Sequence, residues 1–176
     1  SVKRYEGIVA LKLAGIEPVM LMYREGLALI YGSKFTSAYA CFDVYEAERL
    51  IKNSEISAAM SIDVLTCVTL AYDARYHALR PFKGQNDSAF NIRKLLEGSE
   101  ILKQKKLNTQ NAYSLRCTPQ VVGACRDTLG FASQQVEIEI NSCADNPLYF
   151  TEEEICLTGG NFHGEPVGIA MDALGI

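Results

Sequence analysis

"TPQVVGACRDTLGFASQQVEIEI", residues 118–140, carries the longest helical signal in the chain. Thr118 followed by Pro119 reads as an N-cap with proline at the first helical position, where its missing N–H costs nothing. Val121, Val122, Cys125, Leu129, Ala132, Val136 and Ile140 then recur at helical spacing as one apolar stripe. The helix is expected to reach about Asn141, a rod of roughly 33 Å at the usual rise per residue. A rod that long in a chain of 176 residues belongs in a bundle, commonly one shared between subunits. The expected fold class is therefore mainly α, built on long helices.

On either side of this rod the same periodicity continues. Residues 5–14 form a short helix closed by Gly15, with Pro18 barring its continuation. In "MLMYREGLALIYGS", residues 20–33, Arg24, Glu25 and Gly26 interrupt the apolar run, so a turn is expected there, with a short irregular or strand segment after it. Residues 36–52 and 55–72 read as two helices, 78–87 as a loop marked by Pro81 and Gly84, and 88–97 as a helix stopped by Gly98. "NSCADNPLYF", residues 141–150, is a polar turn closing the long helix through Asn146 and Pro147. No internal repeat or low-complexity tract appears. The chain starts without methionine, and "EPVGIAMDALGI" stops inside an unfinished apolar helix pattern. Residues 1–176 are thus expected to be a single partial domain of something larger.

Composition narrows the function classes. Hydrophobic residues make up 48% and charged ones 22%, a globular balance. A net charge of −4 argues against nucleic acid or an anionic membrane surface as partner. "KQKK", residues 103–106, reads as a solvated loop. Lys12, Glu17, Arg24 and Glu25 break the most apolar region, so no segment reads as membrane-spanning, and the N-terminus lacks signal-peptide architecture. Six cysteines never approach a CxxC spacing, which points to reduced, mostly buried thiols in a cytoplasmic protein and to no metal site.

"QNAYSLRCTPQ", residues 110–120, places a phenol and a guanidinium directly before the long helix. Gln110, Tyr113 and Arg116 are spaced three apart, so a helical or near-helical backbone would send them to one side. One use of this trio is structural, the arginine capping a neighbouring helix and the tyrosine packing edge-on. The other is chemical. An arginine fork matches a carboxylate with two bonds, and a tyrosine in a dry, positive setting can move a proton. "LTGGNFHGEP", residues 157–166, adds a double glycine that permits close approach of a ligand, followed by Asn161, Phe162, His163 and Glu165 ahead of a new helix. Its structural use is a tight turn, with Glu165 suiting a helix start.

"EGLALIYGS", "YSLRCTPQVVGA", "ADNPLYF" and "GGNFHGEP", in that order and at those separations, resemble the central region of the histidine ammonia-lyases. These belong to the aromatic amino acid lyases that carry a methylidene-imidazolone (MIO) prosthetic group. The resemblance runs from about residue 4 to residue 174, and the His-Gly-Glu of "NFHGEP" is similar to the histidine branch rather than the phenylalanine branch. It implies a helical ammonia-lyase/fumarase-like core and active sites each built from several subunits. It also implies elimination of ammonia, from L-histidine to give urocanate or from a related aromatic amino acid. Arg116 matches the arginine that holds the substrate carboxylate, with Tyr113 and Gln110 in the catalytic set beside it. Phe162, Asn146, His163 and Glu165 match residues of the substrate pocket.

Two departures from the family pattern bear on activity. The MIO group forms from an Ala-Ser-Gly tripeptide, which these 176 residues do not contain, so another segment or subunit is expected to supply it. Alone, this chain is then expected to be inactive, and to work as part of a homo- or hetero-oligomer, tetramer-like. Tyr31, beside the cofactor by this resemblance, stands where the family has asparagine, and a phenol lacks the amide's paired donor and acceptor. That substitution favours an alternative, a lyase-like scaffold or regulatory subunit without activity. An unrelated helical interaction module is a third class, one that four ordered motifs disfavour.

Overall fold

The computed structural model describes residues 3–106 and 108–176. Two long helices set the frame. The helix α3 spans Lys34–Val64 and α7 spans Thr118–Ile140. They lie antiparallel, joined near one end by a hydrogen bond from Ser33 to Glu139, at mid-length by Glu55 and Arg126, and toward the other end by packing of Leu115 on the cluster that holds Ile62. Across them pack α5 (Lys83–Leu95) and α8 (Glu165–Leu174). Shorter pieces fill the connections: α1 (Gly7–Leu13), α2 (Glu25–Ile30), α4 (Ala74–Ala78), the single turn α6 (Tyr113–Arg116), and an antiparallel hairpin of β1 (Leu148–Phe150) with β2 (Ile155–Leu157).

Several boundaries differ from the expectation, each for a physical reason. Residues 36–52 and 55–72 are not two helices. Asn53 and Ser54 break the apolar pattern, but the Ser54 hydroxyl donates to the Leu50 carbonyl at 2.9 Å, and one helix runs through to Val64. Residues 69–72 form a separate 3-10 turn. The segment after Arg24 is helical, not irregular or extended; Arg24 takes the left-handed conformation (φ 66°) and α2 starts directly behind it. The loop ends earlier than expected because α5 begins at Lys83, where the Asp127 carboxylate of α7 accepts from the Gly84 N–H at 2.8 Å. Thr118 is not the N-cap of α7. It is the first helical residue, and its hydroxyl donates backward to the Leu115 carbonyl at 2.8 Å. The hairpin falls partly in the stretch expected to be only a turn.

The apolar stripe of α7 divides. Leu129, Ala132 and Val136 are buried, with Val136 packed beside Ala40 of α3 and Val167 of α8. Val121 and Ile140, by contrast, are 64% and 56% exposed, so this chain leaves much of the stripe uncovered. A second core of Ile62, Cys67, Tyr72 and Ile92 lies toward the start of α7. All six cysteines are free thiols, as expected, but only Cys67 is buried; Cys125, Cys143 and Cys156 are exposed. In the basic run, Lys103 pairs with Glu100 at 2.5 Å and Lys106 is partly buried rather than solvated. Among the described residues, no helix is long and apolar enough to cross a membrane, and no cluster of side chains could hold a metal ion.

Candidate active site

The expected site residues fall into two groups, one at each end of α7. Gln110, Tyr113 and Arg116 come together just before its N-terminus. They line an open depression of about 550 Å³ whose other walls include Val68, Leu70 and Tyr76. Only residues 113–116 are helical, so Gln110 joins the group from a turn. The Arg116 guanidinium lies over the Tyr113 ring, 4.5 Å from its centroid. The ring face attracts the cation there without using any of its N–H donors. Among the described residues the guanidinium donates no hydrogen bond and forms no ion pair, so it caps no neighbouring helix. Tyr113 is 73% exposed, with its face against the cation rather than its edge in a core. A partly buried arginine with unspent donors is a receptor for a planar anion such as a carboxylate.

The sequence reading did not single out Gln120 or Tyr76, which face the same depression. Gln120 Oε1 is buried without a hydrogen-bond partner among the described residues, so it is an acceptor available to a ligand's N–H. Its position one turn beyond Arg116, on a continuing helical path, was the signal that could have found it.

At the other end of α7, Tyr31, Asn146, Phe162, His163 and Glu165 gather where α2, the hairpin and α8 meet. The rings of Tyr31 and Phe162 are tilted by 53° with centroids 5.2 Å apart, an ordinary aromatic pair. The Asn146 side-chain oxygen accepts from the Gly159 N–H at 2.8 Å, tying the "DNP" turn to the double-glycine loop. Arg24 reaches over to Asp145 at 2.9 Å, and the Asn146 backbone N–H and then Arg24 hold the Asp145 carboxyl below its usual range. His163 is exposed, its backbone N–H donating to the Gly160 carbonyl at 3.0 Å, and Glu165 opens α8 as the helix start favours. The fold therefore assembles each group separately, and the 23 residues of α7, about 35 Å of helix, stand between them.

The sequence matches the family profile described as aromatic amino acid lyase over residues 2–176. It is 51% identical over 172 residues to histidine ammonia-lyase 2 of Fusobacterium nucleatum, covering 97% of this chain and 34% of that protein. It is 45% identical over 175 residues to histidine ammonia-lyase of Caldanaerobacter subterraneus, covering 99% of this chain and 34% of that one. The fold is similar to the crystal structure of histidine ammonia-lyase from Trypanosoma cruzi, with a TM-score of 0.79 and 34% identity over 94% of this chain and 30% of that one. It is also similar to phenylalanine aminomutase of Pantoea agglomerans, with a TM-score of 0.84 and 32% identity over 98% of this chain and 37% of that one. The chain spans about one third of the length of these relatives.

Proposed function

The chain belongs to the aromatic amino acid lyase family, and on that premise we propose that it contributes the carboxylate grip and part of the aromatic pocket of a cytoplasmic histidine ammonia-lyase. The reaction is elimination: the α-amine and a β-proton leave L-histidine to give ammonia and urocanate. The observation that carries this reading is the Arg116 guanidinium, set over the Tyr113 ring with its donors unspent and facing a depression shared with Gln110. Arg116 holds the carboxylate, Gln110 orients the bound substrate, and Tyr113, with the cation on its face, is placed to exchange a proton. Phe162, Asn146, His163 and Glu165 line the side-chain end of the pocket, His163 being the feature that favours histidine.

The prosthetic group would supply the electrophile that activates the amine, and another segment or subunit provides it. Tyr31 is the residue of this chain that the resemblance places beside it. Packed on Phe162, its ring fits there as an aromatic wall with a single hydroxyl, not as an amide with paired donor and acceptor.

A single amino acid cannot reach both ends of α7, so one pocket needs its two groups from different copies. Arg116→Lys tests the assignment, because it keeps the charge and loses the planar two-pronged grip. In the assembled enzyme, catalytic efficiency for histidine should fall on the order of a hundredfold, the equivalent of about 2–3 kcal/mol, with the melting temperature unchanged. Unchanged kinetics in a folded variant would remove Arg116 from the site. Tyr31 favours one competing reading, an inactive scaffold. An assembled wild-type protein that eliminates no ammonia, and gains activity on Tyr31→Asn, would establish it instead.

A further inference from the structure

Tyr113 and Arg116 stand on a helix of four residues, α6. One turn of helix fixes several dihedral angles for little return in hydrogen bonds and does not persist by itself. Its geometry has to be imposed from outside: the Thr118 hydroxyl holds the Leu115 carbonyl from α7, and two side chains act across the fold. Asn111 uses both halves of its amide on one residue: the Val68 N–H donates to Asn111 Oδ1 at 2.9 Å, and Asn111 Nδ2 donates to the Val68 carbonyl at 2.9 Å. Tyr72, fully buried, donates its hydroxyl to the Leu115 carbonyl at 2.8 Å, while Arg93 Nη1 donates to the Tyr72 carbonyl at 2.5 Å and holds it from behind.

The tie from Asn111 matters more for the site. Val68, Asn111 and Arg116 all line the depression, so the Asn111–Val68 pair ties the backbone that leads into α6 to another part of the lining. We propose that Asn111 is a positioning residue of the carboxylate site, acting through the 111–116 backbone on the placement of Arg116. Asparagine suits this role because alanine offers neither bond, aspartate offers only the acceptor, and glutamine carries the amide one methylene too far. A displacement near 1 Å at such a site can cost up to about a hundredfold in rate. The proposal rests on Arg116 as the carboxylate-binding residue.

A double-mutant cycle in the full-length, assembled protein separates positioning from general structural support. Asn111→Ala should lower the catalytic efficiency for histidine at least about tenfold, mostly through KM, and weaken a carboxylate competitor by a similar factor. Asn111→Asp should recover part of that loss through the retained Val68 N–H bond. In an Arg116→Lys background, where the fork is already gone, Asn111→Ala should change efficiency by less than about twofold. The full factor in both backgrounds, or unchanged kinetics in a folded Asn111→Ala protein, would overturn the proposal. Should Asn111→Ala fail to assemble, Asn111→Asp carries the same cycle, with its smaller loss expected to vanish in the Arg116→Lys background and its persistence there counting against positioning. Failure of the carboxylate reading shows separately, as an Arg116→Lys protein with unaltered kinetics, and it takes this inference with it.

Discussion

Glu55 is a carboxylate in the middle of α3 with 3% of its surface exposed. Arg126 Nε and Nη2 each donate to it at 2.7 Å, and Asn91 Nδ2 donates at 2.9 Å, so one side chain joins α3, α5 and α7. Glu55→Ala would strand the guanidinium and the amide. The expected cost is about 3 kcal/mol, the low end for breaking a buried pair, because Arg126 keeps 24% of its side-chain surface in water. Glu55→Gln preserves volume and an acceptor and should cost less; denaturant unfolding of the assembled protein measures both. His77 is a second buried polar group, bonded through Nε2 to the Ala71 carbonyl and through Nδ1 to Gln85 Nε2, which fixes the neutral ring. Burial holds its pKa below the ordinary value. The unfolded chain then binds a proton more readily, so stability falls as pH drops below about 6.5 and is constant, for this group, above it. Melting temperature against pH should show that acid-side slope, and His77→Gln should flatten it. Neither residue stood out in the sequence. Glu55 and Arg126 are 71 positions apart, and no local pattern pairs a charge with a partner that only a helix crossing brings near.

At the scale of elements, the crossing of α5 on α7 determines where α5 starts. A Cβ on Gly123 would stand 2.4 Å from the backbone N and Cα of Gln85, and one on Gly84 would stand 2.1 Å from the Gly123 carbonyl oxygen. The two backbones touch, and Asp127 then caps Gly84 from the neighbouring helix. Gly123→Ala should force the helices apart at a cost of about 1–3 kcal/mol or more, read as a lower melting temperature with α-helical circular dichroism retained. This contact explains what the sequence could and could not disclose about helices. Gly15 and Gly98 take positive φ, 69° and 80°, and end α1 and α5 within a few residues of the expected places, because a C-terminal glycine acts locally. Gly84 signalled a loop by the same local logic and was overruled by a tertiary crossing. Thr118 was overruled in a different way, since α6 and Cys117 already supply a turn before it and leave nothing for its hydroxyl to cap. The order of the candidate site's residues was legible because motifs lie along the chain, whereas Asn111 and Tyr72 act through contacts that no spacing encodes.

The whole molecule leaves a wide apolar surface in water: Tyr39, Phe42, Met60 and Val121 are each at least 60% exposed, along the flanks of the two long helices. Surface of that kind on a bundle element calls for cover, and the division of the candidate site between the two ends of α7 calls for the same remedy. If copies of the chain pack so that the Arg116 end of one meets the Phe162 end of another, a single association buries the flanks and completes the pocket. Mixed assemblies test this directly. Full-length Arg116→Ala and Phe162→Ala proteins should each be nearly inactive in histidine deamination. Co-assembled at equal amounts, a pocket is intact only when its first group comes from a Phe162→Ala chain and its second from an Arg116→Ala chain. Random association of symmetric copies gives that combination at about one pocket in four, so roughly a quarter of wild-type activity should return. A pocket drawing both groups from one chain would return none, since every chain in the mixture carries a lesion. Activity that stays at the level of the separate variants, in assemblies shown to be mixed, would exclude the shared pocket and require α7 to bend or break for its two ends to meet.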